Sequence, residues 1–139
     1  MSSKSLRDRI RQVAGARCGY CQTQERVSGI PLTLEHIVPK VLGGTDEESN
    51  LWVSCRLRNE AKGALVEATD PLTGISTLLF NPRTQVWQEH FAWTLSGDEI
   101  VGLTATGRAT IVALALNSSF RIGVRRLWVE AGYHPPADS

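Results

Sequence analysis

The sequence is poor in several features, and each scarcity excludes something. It has only three cysteines in 139 residues, too few and too odd a number for the disulfide framework of a small secreted domain. No apolar run approaches the length that spans a bilayer; the longest, Ile111 to Leu116, reads as part of a core helix. The opening residues MSSKSLRDRI are polar and charged, unlike a secretory leader. No tract is repeated, of low complexity or linker-like. Net charge is only +1, from 15 Lys and Arg against 14 Asp and Glu, so bulk charge selects no partner. These absences lead us to expect a cytoplasmic protein with no membrane segment, folded as a single domain over residues 1–139. A hydrophobic content of 42% supplies an ordinary core for it.

The charges that are present cluster at the two ends. Lys4, Arg7, Arg9, Arg11 and Arg17 face a lone Asp8, and Arg108, Arg121, Arg125 and Arg126 meet no acid before Glu130. On charge alone these are solvated helix faces. Beside a nucleic-acid site they become candidate phosphate contacts, Arg121, Arg125 and Arg126 first among them.

The pattern of apolar residues gives an order of elements. Leu6, Ile10 and Val13 are helically spaced, so Ser5 to Val13 is expected to be an amphipathic helix. Pro31 to Val38 (PLTLEHIV) reads as a strand stopped by Pro39, and Leu51 to Val53 as a second short one. Between them lies a loop with Gly43, Gly44 and the acidic stretch TDEES. A helix capped by Ser54 follows, carrying Arg56 to Leu65. Farther on, Thr69 to Gly74 is a turn, Ile75 to Phe80 a strand, and Gln85 to Leu95 with Glu99 to Thr104 an antiparallel pair around Ser96 and Gly97. Thr106 is expected to cap a helix reaching Leu116. A last helix from Asn117 or Ser118 carries Phe120, Val124, Leu127 and Trp128 on one stripe, and the tail YHPPADS is expected to be loose.

The chemistry lies between Cys18 and Lys62. Cys18 and Cys21 form a turn-spaced pair, CGYC, and Cys55 stands alone. A zinc knuckle of two such pairs needs a fourth ligand at position 58, where Arg58 stands; a guanidinium cannot ligate a cation. The spacing therefore predicts no structural zinc at Cys18, Cys21 and Cys55, unless water or a distant residue such as His134 completes the set. Arg58 is then free to lie near the knuckle or to reach a phosphate. Packing around Tyr20 and Trp52 would hold the knuckle closed.

Downstream, Glu35 and His36 sit near a strand end, and Asn59 and Lys62 share one face of the following helix with Cys55. A strand–loop–strand–helix of this length can bring Glu35, His36 and Asn59 around one point. Glu35 and Asn59 offer oxygen ligands to a hard cation such as magnesium or manganese. His36 has the side chain whose ordinary titration lies near neutrality, which suits a general base. Adjacent strand residues point to opposite faces, so for both to serve one site the strand must bulge or end there.

The string LEHIVPKVLGGTDEESNLWVSCRLRNEAKG, with CGYC upstream, resembles the HNH endonuclease family. The acid–His pair, the Pro, the Gly-Gly loop, the Asn-Leu and the closing Cys-x-x-x-Asn-x-x-Lys carry the likeness. TDPLTG, FNPRTQVWQEHFAW and GLTATGRATIVALALN resemble an extension found in one bacterial subgroup of it. The resemblance implies an α+β fold: a ββα-metal core over about residues 15–66, preceded by the N-terminal helix. A C-terminal β-hairpin with helices follows over about 67–134. It implies a metal-dependent endonuclease that hydrolyses phosphodiester bonds in nucleic acid, expected to be DNA, leaving a 5′-phosphate and a 3′-hydroxyl. His36 matches the general base, Glu35 and Asn59 the ligands of one divalent metal, and Asn50 the amide that holds the loop orienting the base. Lys62 takes a position suited to a phosphate. Magnesium or manganese is the expected ion, with zinc or nickel able to stand in for it in vitro.

Two other readings remain beside this one. A degenerate zinc knuckle with basic ends can serve as a nucleic-acid-binding module without catalysis, and Arg58 favours it. A zinc deaminase would need a His-x-Glu order that is absent. His90, in VWQEHFAW, is expected on a strand as a core or hydrogen-bonded histidine, the sharper alternative being a site residue reaching metal or phosphate.

Overall fold

The computed structural model describes residues 3–138. The chain divides into two compact units, Met1–Val66 with Asn81–Thr84, and Glu67–Phe80 with Gln85–Ser139. Both are mixed α+β, built from small antiparallel hairpins and helices.

In the first unit α1 (Ser3–Val13) buries Ile10 but leaves Val13 exposed, so the expected stripe is narrower than its spacing implied. The helix is fastened by its cations: Arg7 donates to the Leu32 carbonyl at 2.7 and 3.0 Å, and Arg11 pairs with Glu25 at 2.8 Å. The Lys4 side chain lies outside the described residues. The CGYC turn follows, then a short helix α2 (Glu25–Ser28). Next come β1 (Thr33–His36), β2 (Leu51–Ser54) and α3 (Arg56–Lys62). The two strands pair antiparallel from Thr33↔Ser54 to His36↔Leu51, with no bulge. The first is shorter than its apolar run suggested, with Pro31 and Pro39 left outside it, and the second runs one residue longer, to Ser54.

Two glycines in this unit are set by close approach. A Cβ on Gly19 would lie 2.5 Å from Trp52 Cδ1 and 2.8 Å from Pro82 Cβ, so the knuckle can pack there only without a side chain. A Cβ on Gly44 would lie 1.7 Å from the Val38 carbonyl oxygen, across the tight loop between the strands. The helix α3 begins at Cys55 with no side-chain cap, not at Ser54, which is fully buried.

The second unit holds the hairpin β3 (Glu67–Thr69) and β4 (Ser76–Leu78), a one-turn helix α4 (Trp87–His90), and the hairpin β5 (Phe91–Trp93) and β6 (Ile100–Gly102). Helices α5 (Ala105–Ala113) and α6 (Ser119–Glu130) follow. Residues 87–90 were expected to be strand; their Trp and His instead complete a helical turn before the chain extends at Phe91. Thr104 caps α5, not Thr106, through its hydroxyl oxygen, which accepts from Gly107 N at 3.0 Å. Phe80, Trp87 and Phe91 form the aromatic core, with centroids 5.1 and 5.2 Å apart.

The last helix keeps only half of its expected apolar stripe inside, at Val124 and Trp128, which are half-buried. Phe120 and Leu127 are 71% and 65% exposed, whereas Arg121 and Arg125 are buried. Arg125, with no exposure, donates to the carbonyls of Asp98 and Leu116 and lies 5.5 Å from the Trp93 ring. These backbone acceptors outweigh the apolar stripe, because an unsatisfied buried carbonyl costs more than an exposed Leu or Phe. The tail is not loose: His134 is buried with its ring 4.5 Å from Trp93 and 6.0 Å from Trp128.

Two aspartates pin this unit. Asp70 takes both forks of Arg108 at 2.9 and 3.0 Å and also accepts from Leu72 N and Thr73 Oγ1. Asp98 accepts from Arg126 at 2.8 Å and from Ser96 at 2.7 Å, and these bonds, that of Arg126 first, bring its carboxyl down to about 2. Arg108 holds the Asp70 carboxyl below the usual carboxylate range in the same way. Both groups titrate lower folded than unfolded, where an aspartate titrates near about 3.9. Their stabilisation is therefore present above that value and is lost as pH falls through the folded pKa. Thermal melts followed by near-ultraviolet dichroism of the tryptophans should show a midpoint that falls steeply only in the acid range. Asp98→Asn should melt lower at neutral pH and lose less on acidification. An acid slope identical to that of the parent would detach Asp98 from this role.

Candidate active site

The end of β1 collects the buried polar groups of the first unit. Glu35 is 1% exposed; its Oε1 accepts from the Tyr20 hydroxyl at 2.6 Å and from Lys62 Nζ at 2.9 Å. Lys62 comes from the last turn of α3, is 3% exposed, and also donates to the carbonyls of His36 and Ile37 at 2.9 Å each. Its three donors are thereby used. The second carboxylate oxygen, Glu35 Oε2, is buried with no hydrogen-bond partner. Burial raises the Glu35 carboxyl above its ordinary range, against the opposing pull of Lys62 and Tyr20.

His36 is the last residue of β1, so the strand ends there and does not bulge. The alternation of a regular ladder sends its side chain to the face opposite Glu35. Its ring, part-exposed, meets Asp46 Oδ1 through Nε2 at 2.7 Å, while Asp46 Oδ2 pairs with Lys40 at 3.0 Å. The bonds from His36 and Lys40 hold the Asp46 carboxyl below its ordinary range. An ionised carboxylate only accepts, so the hydrogen sits on Nε2 and Nδ1 of the neutral ring carries the lone pair.

Asn50 fixes the loop that carries Asp46. Its Oδ1 accepts from Val38 N at 2.9 Å, and its Nδ2 donates to the carbonyls of Val38 at 3.0 Å and Thr45 at 2.9 Å. Both ends of the loop are thus tied to one amide, next to the residue that touches His36. Asn59, on the face of α3 toward β1, donates through Nδ2 to Leu34 O and Thr33 Oγ1 at 3.2 Å each. Its Oδ1 receives no hydrogen bond among the described residues.

The three thiols form a second cluster. The Sγ atoms of Cys18, Cys21 and Cys55 lie within 4.8 Å of one another, with Cys21 and Cys55 3.6 Å apart. Burial and the neighbouring thiols push the Cys18 thiol well above its ordinary value. Gly19 N donates to Val53 O at 3.0 Å and joins this knuckle to β2.

Residues 18–65 match the family model described as HNH endonuclease. This segment is an HNH endonuclease domain. No curated protein and no solved structure matches the chain. HNH endonucleases are phosphodiester hydrolases that use a divalent metal and act on nucleic acid.

Within the HNH domain the predicted residues divide by depth. Glu35, Lys62 and Arg58 are buried, His36, Asn50 and Asn59 part-exposed. Lys62 is turned inward to β1 and not outward to an approaching phosphate. Arg58, 3% exposed, is likewise inside and not a surface contact. Outside the domain, Arg121 and Arg125 are buried and Arg126, though exposed, is paired with Asp98. The expected basic stripe is therefore corrected: these arginines cross-link their own unit. His90 is part-exposed at the end of α4, with Nδ1 2.7 Å from Thr104 Oγ1 and its ring edge-on to Phe80.

Sequence reading missed Asp46, whose only signal was one acid among several in TDEES, and the Tyr20–Glu35 bond, which no spacing announces. It also missed Arg83, which donates to Leu51 O at 3.1 Å in the first unit.

The thiol cluster can hold a metal ion at three corners, and zinc suits thiolate ligands. No fourth His, Cys or acid joins it among the described residues, and position 58 holds a guanidinium. Zinc in the purified protein should accordingly be removable by mild chelation with the fold intact, whereas Arg58→Cys should retain close to one ion per chain. Elemental analysis with parallel melts reads both. Stoichiometric zinc in the parent that survives chelation would show that another group completes the site.

Proposed function

We propose that the chain is a divalent-metal-dependent endonuclease acting on DNA, with His36 as general base and Glu35 and Asn59 as metal ligands. The observation that carries the proposal is Glu35 Oε2, a carboxylate oxygen taken out of water and left without a hydrogen bond. Such an atom is costly unless a cation completes it. The amide oxygen of Asn59, without a donor, is a second hard ligand from the adjacent helix. Magnesium or manganese fits this all-oxygen pair, and when bound supplies positive charge to the anionic transition state of phosphodiester hydrolysis.

The remaining steps belong to the chain's own groups. His36 takes a proton from the attacking water at Nδ1. Asp46 holds the ring from Nε2 and fixes its tautomer and orientation, as a carboxylate behind a catalytic histidine does. Asn50 keeps the Asp46 loop from wandering. Lys62 positions Glu35 and the end of β1 and does not touch substrate.

A second reading has specific observations in its favour. Glu35 and His36 stand in an unbroken ladder that turns them to opposite faces. Lys62 already supplies Glu35 Oε1 with a cation, so the acid can be a structural one in a nucleic-acid-binding module without catalysis. Supercoiled plasmid incubated with magnesium or manganese, and with chelator, separates the two. We expect nicking that requires metal. His36→Ala should keep its fold and metal binding while losing about 10²–10⁴-fold in rate, the usual cost of a general base. Glu35→Gln should instead recover part of its rate at high metal concentration, and Asn50→Ala should lose rate without losing metal. If the parent binds DNA but never nicks it with either metal, the binding module is the better description. Full activity in His36→Ala would remove that residue as base.

A further inference from the structure

The segment Asn81–Thr84 belongs to the first unit although the residues flanking it on both sides belong to the second. It is fixed locally: Asn81 Oδ1 accepts from the backbone of Arg83 at 3.0 Å and Thr84 at 3.3 Å, and Pro82 packs against Gly19. Arg83 is held twice more. Its Nε donates to Leu51 O at 3.1 Å, and its guanidinium carbon lies 5.1 Å from the centroid of the Trp52 ring. Among the described residues nothing takes a hydrogen bond from its two Nη amines. Glu48, the carboxylate that feels its charge, is engaged by Arg9.

Leu51 is the register partner of His36. Ile37 N donates to Asn50 O, so the neighbouring pair His36/Leu51 turns its own amides and carbonyls outward. Arg83 therefore caps the outer edge of β2, beyond Leu51, the strand partner of the residue that carries the imidazole. Lys62 caps the corresponding outer edge of β1. Of these two cations, Lys62 is buried and fully used, while Arg83 is part-exposed with an open fork.

We infer that Arg83 is a phosphate-binding residue of the nuclease site, taking a backbone phosphate that flanks the scissile one on the face of the hairpin that carries Glu35 and its strand partner Trp52. This rests on the endonuclease reading above. A guanidinium fork matches two phosphate oxygens. With Nε tied to a carbonyl and its flat face on an indole, this one loses little rotamer freedom on binding. The Trp52 face and the backbone bond orient it without using the two amines that meet the ligand.

The test is duplex DNA binding by the full chain in a His36→Ala background with magnesium, measured across a salt series. Arg83→Gln keeps a donor for Leu51 O but removes the charge. It should weaken binding several-fold and lower the slope of log K against log salt by about one. Arg83→Lys should keep the slope while still binding more weakly, because a point charge replaces the fork. Melting curves accompany each variant. A slope and affinity in Arg83→Gln equal to the parent's overturn the inference, as does a parent that binds no DNA. Loss of fold in both variants also overturns it, by making Arg83 structural. A parent that fails to nick plasmid while the slope still falls in Arg83→Gln would sink the nuclease reading alone. Nicking that persists with an unchanged slope would sink the arginine alone.

Discussion

The buried Lys62 ammonium is the constraint on which the rest of the first unit depends. It pairs with Glu35 and also donates to the carbonyls of His36 and Ile37. One side chain thereby joins the end of α3, the end of β1 and, through Glu35 and Tyr20, the cysteine turn. A buried pair of this kind adds little net stability, since the desolvation of two ions offsets their attraction. Removing one partner alone is a different matter and costs about 3–5 kcal/mol, because a buried charge remains. The pair is thus better understood as a geometric device. It fixes where β1 stops and leaves one carboxylate oxygen buried and unspent.

That stopping point separates the acid from the base. Glu35 and His36 are neighbours in sequence, but a regular ladder directs them to opposite faces. Their partners differ accordingly. Glu35 is held by interior groups from α3 and the cysteine turn, His36 by Asp46 from the loop. The loop owes its shape to Asn50, whose amide binds both of its ends, and to Gly44, where any side chain would strike the Val38 carbonyl. The interior acid and the histidine held from an exposed loop are thus positioned by separate sets of groups.

Much of this was legible in the sequence, and the limits are physical. The strand–loop–strand–helix order follows from short apolar runs bounded by Pro31, Pro39 and the Gly43–Gly44 pair. That Glu35, His36, Asn59 and Lys62 lie in that stretch is read from spacing, and the part of Asn50 from the family resemblance. Depth is read from neither. Lys62, Arg58, Arg121 and Arg125 read as surface residues because long cations usually are, and nothing in periodicity announces their burial or the carbonyls that meet Lys62 and Arg125 inside. The same blindness misjudged half of α6, since Phe120 and Leu127 complete a convincing stripe with Val124 and Trp128 until the acceptors for Arg125 at Asp98 and Leu116 are known. Short elements failed for another reason: the one turn of α4 is too brief to impose a period on VWQEHFAW. Thr104 and Thr106 are equally plausible caps until one of them meets Gly107 N.

The inward cations also bear on how a polyanion is recognised. Among the described residues, Lys40, Lys62, Arg9, Arg11, Arg56, Arg108 and Arg126 pair with carboxylates. Arg7 and Arg125 are given to backbone carbonyls. With a net charge of +1 and these seven cations paired in place, the chain offers little field at a distance. Steering of the kind that draws nucleic acid to a strongly basic protein is weak here. Affinity must instead arise at short range, from a few donors already held in position when the backbone arrives. This places a premium on groups whose orientation is fixed by the fold, and it ties recognition to the same strand ends and loop that arrange the chemistry.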